Sequence, residues 1–244
     1  MGSTRLPGKV LKPLAGQSVL WHVVNRLRYA KTLEEIVVAT TTESEDNVIE
    51  EFCRAEKIHF YRGSKNDVLD RYYHAAKTFQ ADPIVRITAD CPLIDPLIVD
   101  EVVNSYFKGG YEACGLAGEF PDGLDCEVFS FRAIEDAWRH SVLPSEREHV
   151  GPYIYKHPEK YLSGAHHKFQ GLKHHRWCLD EERDYHFLEV VFERLYEPHK
   201  LFLTLDILNL LVREPYLMEI NTGIVRNEGY LKSLAEDKDY LQNK

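Results

Sequence analysis

The pattern that most narrows the fold is a regular alternation between short β-branched runs and stretches whose apolar residues recur at helical spacing. Residues 18–30 set Val19, Leu20, Val23, Val24 and Leu27 on one stripe, and Ile36-Val37-Val38-Ala39-Thr40 then reads as a buried strand. Ser44 and Asp46 are both candidate N-caps for the following helix, whose inner face would hold Val48, Ile49, Phe52 and Cys53. Position 47 is Asn, so Ser44 opens no full capping box. Ile58 to Tyr61 forms a second strand, ended by Arg62-Gly63-Ser64. Asn66 is placed to cap the next helix, with Val68, Leu69, Tyr72, Tyr73, Ala76 and Phe79 along one side. Ile84 to Thr88 is a third strand, and Asp95-Pro96 supplies an N-cap followed by proline at the first helical position. Strand and helix in alternation with short connections predict an α/β fold, a mostly parallel sheet with helices on both faces.

After residue 110 the pattern changes. Strand-like segments near 111–116, 126–131, 161–167 and 174–179 are separated by helices near 131–141 and 145–156. Ser145 and Glu148 have capping-box spacing at the start of the second helix. An amphipathic set over 181–197 carries Leu188, Val191, Phe192 and Leu195, and helices follow near 204–213 and 227–235. Neither an internal repeat nor a linker interrupts the chain, so residues 1–244 are expected to form one domain with a mixed second half.

Composition restricts the partners. A chain of 244 residues, 44% hydrophobic and 28% charged, is neither disordered nor collagen-like. Its 30 Lys and Arg against 39 Asp and Glu give a net charge of −9, and it has no basic block. Nucleic acid and anionic membrane are therefore poor partners, and any anionic ligand must be held by a few placed cations. The five cysteines (Cys53, Cys91, Cys114, Cys126 and Cys178) have no C-x-x-C spacing, which argues for free thiols in a reducing cytoplasm. No apolar run is long enough to span a bilayer, and the first residues show no signal-peptide core. The doublets His166-His167 and His174-His175 are read as surface residues, because neighbours on a strand face opposite sides and cannot chelate one metal.

Four segments carry candidate chemistry. In Gly2-Ser3-Thr4-Arg5-Leu6-Pro7-Gly8-Lys9, small residues let backbone approach a phosphate while Arg5 and Lys9 supply cations; the bland reading is a mobile basic end. Asp90, in Arg86-Ile87-Thr88-Ala89-Asp90-Cys91-Pro92-Leu93, follows an apolar strand where open sheets bind ligands, so it suits a hard divalent cation or a simple turn. Asp180, in Arg176-Trp177-Cys178-Leu179-Asp180, stands between a strand and a helix and suits either metal or N-cap. In Pro121-Asp122-Gly123-Leu124-Asp125-Cys126-Glu127, turn chemistry leads into Asp125 and Glu127 on one strand face, able to take polyol hydroxyls or to stay solvated. Nothing matches a Walker A loop or a nucleophile elbow.

Together these segments resemble the cytidylyltransferases that activate sugars, most closely the spore coat polysaccharide biosynthesis protein F type. Met1-Gly-Ser-Thr-Arg-Leu-Pro-Gly-Lys9, Arg62 to Tyr72, Arg86 to Pro96, Pro121 to Phe129, Ser145 to Val150 and Arg176 to Asp180 follow that order, covering residues 1 to about 197. Residues 198–244 carry no motif of the family and are read as a helical extension. The resemblance implies a nucleotide-diphospho-sugar transferase fold, which is Rossmann-like, and transfer of a cytidylyl group from CTP to a sugar with release of pyrophosphate. It implies that Arg5 and Lys9 hold the triphosphate, that Gly2, Ser3 and Thr4 wrap it, and that Asp90 and Asp180 coordinate Mg²⁺. Arg62, Gly63, Ser64, Asp67 and Arg71 would lie near base and ribose, Asp122, Asp125 and Glu127 near the acceptor sugar, with Glu148 and His149 also on the sugar side. A homodimer is expected from relatives of the superfamily.

Two departures from the family pattern set further expectations. The usual apolar strand ahead of the glycine-containing loop is missing, so the sheet is expected to lack its first, central strand and the chain to begin one strand late. Glu181-Glu182-Arg183-Asp184 replaces the family's usual turn after Asp180. Two other functions compete. One is a glycosyltransferase of similar sheet, set against by a single acid at Thr88-Ala89-Asp90 in place of a D-x-D pair. The other is a truncated, non-catalytic nucleotide-binding protein.

Overall fold

The computed structural model describes residues 1–243. A loop from Met1 to Gly8 leads into a 3₁₀ turn and a two-stranded hairpin, β1 (Pro13–Leu14) and β2 (Gln17–Ser18). Helix α1 (Val19–Leu27) follows, capped by the Ser18 hydroxyl, which accepts the Trp21 N–H. Then β3 (Val37–Thr41), α2 (Asn47–Ala55), β4 (His59–Gly63), α3 (Val68–Phe79), β5 (Ile84–Arg86) and α4 (Pro96–Gly109) realise the alternation of the first half. The second half runs β6 (Ala113–Gly118), β7 (Glu127–Phe129), α5 (Phe131–His140), α6 (Pro144–His149), α7 (Pro152–Lys156), β8 (Ser163–Phe169), α8 (Glu182–Leu195), α9 (Thr204–Arg213) and α10 (Glu228–Gln242).

The main strands form two sheets. β3 and β4 pair in parallel, and β5, β7, β6 and β8 form a sheet in that order, with β7 antiparallel to both neighbours and β6 parallel to β8. This is the α/β architecture with a mixed second half. Between the outer edges of β3 and β5 no ladder forms among the described residues, and residues of both strands line one cleft of about 1530 Å³ together with Leu20 and Val24 of α1. The sheet is open at the position where the sequence led us to expect a first, central strand to be absent. The largest apolar cluster joins α1, α4, α8 and α9 around Val19, Ile98, Val102, Trp177 and Phe187.

Several local expectations are corrected. Asp46 precedes α2 but does not cap it: its buried carboxylate is already taken by the Met1 ammonium and by the Thr40 and Thr41 hydroxyls. Val48 is exposed, leaving Ile49 and Cys53 as the buried face. Asp67, not Asn66, caps α3 by accepting the Asp70 N–H at 2.8 Å. The helix expected over 145–156 breaks into α6 and α7 at Val150, which takes φ 69°; Pro152, lacking an N–H, opens α7 as its first residue. Ser145 does not cap α6, because its hydroxyl donates to Asp237 of α10. Residues 174–179 are not a strand: one bridge joins Asp122 to Arg176, and pairing stops because the partner turns at Gly123 (φ 104°). His175 is buried and not a surface residue; burial and neighbouring His174 lower its pKa to about 4.

Candidate active site

The site is assembled from four loops that meet at the cleft. The first is the glycine-containing N-terminal loop, which is folded and not a loose end. The Gly8 N–H donates to the Met1 carbonyl at 3.1 Å, the Ser3 hydroxyl accepts the Leu6 N–H, and the Leu6 side chain is buried in the main core. Gly8 has φ 71°, which a side chain would strain. This turn sends Arg5 and Lys9 toward the strand ends.

Asp90 lies in the loop after β5, and Asp180 in the loop before α8. The Leu179 N–H donates to the Asp90 carbonyl at 2.8 Å, which ties the two loops together. Lys9 Nζ lies between their carboxylates, 2.5 Å from Asp90 Oδ2 and 2.8 Å from Asp180 Oδ1. Arg5 reaches the same Asp180 oxygen at 3.0 Å and pairs with Glu228 at 2.5 Å. Burial alone would lower the Lys9 pKa, but Asp90 and Asp180 outweigh it and raise the pKa. Burial likewise opposes ionisation of Asp180, and Lys9, Arg5 and Arg176 overcome it, holding the carboxyl below its ordinary value. Lys9 and Asp180 are therefore both charged at neutral pH.

Beneath this group lies Arg176, only 8% exposed. Its guanidinium donates to Asp184 at 2.8 and 3.0 Å, to Asp122 at 3.1 Å and to Asp180 at 3.0 Å. Asp184, fully buried, also accepts the backbone N–H groups of Asp180 and Glu181, which fixes the Asp180 loop at the start of α8. Gly123 lets the Asp122 turn pack on this loop; a Cβ there would stand 2.7 Å from the Trp177 carbonyl carbon. Arg176 and Asp184 were not singled out as site residues from the sequence. The signal was present: one arginine in the largely apolar run Arg176-Trp-Cys-Leu, with acids four and eight residues on.

The remaining predicted residues divide. Arg71, Asp122, Asp125, Glu148 and His149 line the cleft with Arg5, Asp90 and Asp180. Burial raises the pKa of the Glu148 carboxyl, and burial with Asp125 does the same for Asp122 against the pull of Arg226 and Arg176. Glu127 is turned to Arg86, its partner across the β5–β7 ladder, at 2.8 Å. Gly2 lies beside Glu45 and Lys65, so the N-terminal loop and the loop after β4 are neighbours. Ser64 offers its carbonyl to Arg71, and Asp67 caps α3 and pairs with Arg147 at 3.3 Å. Arg62, at the end of β4, is drawn away from the cleft by Glu50, Asn47 and the Thr41 carbonyl; Gly63 beside it ends the strand. Thr4 is exposed in the N-terminal loop.

Among the described residues no group of three or more His, Cys, Asp or Glu side chains is placed to hold a metal. Two carboxylates already bridged by a cation are nevertheless a suitable donor set for a divalent ion whose other ligands come from phosphate and water. A hydroxyl acceptor beside such a site would face carboxylates, and a phosphate chain would face Arg5 and Lys9.

Paired carboxylates and cations in loops of an α/β sheet are the inventory of an enzyme that handles phosphate esters. The chain belongs to the cytidylyltransferase family, whose model matches residues 1–204. It is 36% identical over 238 residues to an uncharacterised protein of Methanocaldococcus jannaschii, covering 94% of this chain and 93% of that one. It is 31% identical to the spore coat polysaccharide biosynthesis protein SpsF of Bacillus subtilis over 80% of this chain and 83% of the relative. Among solved structures, a cytidylyltransferase of Leptospira borgpetersenii superposes with a TM-score of 0.84 at 33% identity, covering 93% and 95% of the two chains. A CMP:2-keto-3-deoxy-manno-octonic acid synthetase solved with CTP shares the fold, with a TM-score of 0.63 at 13% identity over 79% of this chain and 95% of that one. The protein is an enzyme that transfers nucleotidyl groups. No helix among the described residues is long and apolar enough to cross a membrane.

Proposed function

We propose that the protein transfers a cytidylyl group from CTP to a sugar hydroxyl and releases pyrophosphate, in the biosynthesis of a polysaccharide. The observation that carries this reading is the Lys9 ammonium held between Asp90 and Asp180, with Arg5 on the same aspartate. Two carboxylates and two cations at one point suit a triphosphate neutralised on one side and an attacking hydroxyl on the other. In the transfer, the acceptor oxygen bonds to the α-phosphorus in line, the bond to the bridging oxygen breaks, and pyrophosphate leaves with the electron pair. The hydroxyl proton passes to a carboxylate at the site or to water.

Such a reaction needs position and charge, not a covalent nucleophile. Arg5 and Lys9 turn from the aspartates to the β- and γ-phosphates when CTP binds, with the loop of Gly2, Ser3 and Thr4 around them. Arg71 and the loop at Ser64 take the nucleoside side, and Asp122 and Asp125 take acceptor hydroxyls. Asp90 and Asp180 would hold a divalent ion, Mg²⁺ in this reading, which supplies charge neutralisation of the phosphates. Arg176 and Asp184 keep Asp180 aimed. All of these groups act within one domain.

Mixing the protein with CTP, Mg²⁺ and a sugar panel that includes 2-keto-3-deoxy-manno-octonic acid should release pyrophosphate only when CTP and an accepted sugar are both present. Asp90→Asn should lower turnover by about 10²–10³-fold with the fold intact. Near-normal turnover in that variant would remove Asp90 from the mechanism. CTP should raise the melting temperature without any sugar, since it binds the folded chain alone.

A further inference from the structure

The family match ends at residue 204, yet the chain beyond it packs back onto the site and its surroundings at four points. Asn221 donates to the Arg176 carbonyl at 2.9 Å, beneath the phosphate-side aspartates. Arg226 donates to the Phe120 carbonyl at 2.8 Å and lies over the Phe120 ring, just ahead of the Asp122 turn. Glu228 pairs with Arg5. Farther along α10, Asp237 accepts both the backbone N–H and the hydroxyl of Ser145, at 2.8 and 2.6 Å, with both residues buried. These ties fix the head of the helix against the site.

Between the ties, residues 227–230 line the same cleft as Asp90, Asp122 and Glu148. The half-buried Tyr230 ring stands edge-on to His149 with centroids 5.1 Å apart. His149 Nε2 is 3.1 Å from the Ser233 hydroxyl one turn later. An aromatic ring, an imidazole and the Glu148 carboxyl thus converge on one corner. Ring edges and faces cover C–H groups while a carboxylate accepts hydroxyls, a combination suited to a polyol. In-line attack requires the acceptor to lie against the phosphates, and the Glu228–Arg5 contact sets this corner beside a phosphate-binding cation.

Resting on the proposed cytidylyl transfer, we infer that the entry to α10, from Asn227 to Tyr230, is the wall of the acceptor-sugar subsite and that Tyr230 determines which acceptors fit. The nucleotide is held by other residues, so the two substrates separate in the kinetics.

The full chain carrying Tyr230→Ala, Tyr230→Phe or Lys232→Ala is assayed by pyrophosphate release with CTP and the sugar panel. Tyr230→Ala should raise the acceptor KM about tenfold and change the ranking of acceptors, with the KM for CTP within about twofold of the parent. Tyr230→Phe should retain most of the parent's acceptor KM, because the ring persists. Lys232, exposed on the outer face of α10, should tolerate alanine without effect. A second readout does not depend on the rate of transfer: all five native cysteines are buried, so Tyr230→Cys introduces a single accessible thiol. Its labelling by a neutral maleimide should slow when CTP and 2-keto-3-deoxy-manno-octonic acid, or the best sugar of the panel, are present together, and not with CTP alone. Unchanged acceptor KM and ranking in Tyr230→Ala, or equal protection by CTP alone, would overturn the inference. Calorimetry with CTP on the parent chain tests the underlying reading first. A chain that binds no CTP removes the transfer and this inference with it, whereas a chain that binds and transfers but ignores Tyr230 removes only the inference.

Discussion

The two sides of the cleft are built in opposite ways. On the side proposed to hold the phosphates the cations are all paired: Lys9 with Asp90 and Asp180, Arg5 with Asp180 and Glu228, Arg176 with Asp180 and Asp184. On the side proposed for the acceptor, Glu148 makes no ion pair among the described residues, burial raises its pKa, and the inferred wall comes from a helix distant in sequence. In the proposed reaction the phosphates take over cations that are already placed, and a divalent ion at Asp90 and Asp180 would replace the charge those carboxylates lose. An underpaired polar corner gains hydrogen bonds only from the ligand it fits. The first arrangement suits a substrate common to a family, the second a substrate that differs between its members.

The contrast can be broken hardest at Arg176. Replacing it by methionine leaves Asp184 and Asp122 buried without their cation, and removing one partner of a buried pair costs about 3–5 kcal/mol. Arg176→Met should therefore melt roughly 6–20 °C below the parent. A variant that melts with the parent would show that the network is not what holds the Asp180 loop.

A smaller effect is expected at Asp237, two turns beyond the inferred wall on the same helix. Asp237→Ala strands the Ser145 N–H and hydroxyl in a buried position, a loss of about 1–3 kcal/mol. Chemical denaturation should report that loss, and kinetics should show the acceptor KM rising while the KM for CTP holds. Equal changes in both constants would mean that α10 braces the whole site and not one side of it.

The mildest test uses pH. His22, which bonds the Leu14 carbonyl, and His175 are both held neutral, burial lowering each pKa from 6.5 to about 4. The unfolded chain takes up these protons below about pH 6.5 and the folded chain resists until about pH 4. Stability should thus be lost as pH falls through that window, by about 1–1.5 kcal/mol per histidine at pH 5.5. Melting temperatures from pH 8 to 4.5 should decline, and His175→Asn should flatten part of the decline. A flat profile would contradict the burial of both rings.

Much of this molecule was legible before its structure. The strand and helix order from α1 to α4 follows from periodicity. Arg5, Lys9, Asp90 and Asp180 were picked out because cations on small-residue loops and acids after strands are local features, and the structure brings all four together. Arg62 was grouped with the nucleotide residues by its motif, yet Glu50 and Asn47 turn it away, because which neighbour captures a long side chain depends on the packing of α2. Asp46 looked like a cap and became the partner of the Met1 ammonium for the same reason.

What the sequence determined by itself was the inventory: which elements form, since 2-fold and 3.6-fold periods are local, and which charges stand at strand ends. Only the tertiary structure decided how those charges are shared. A single arginine serving three aspartates, and a C-terminal helix reaching back to Arg5, Phe120 and Ser145, are contacts across long stretches of chain. Their geometry is set by which surfaces bury one another, and no local pattern in the sequence carries it.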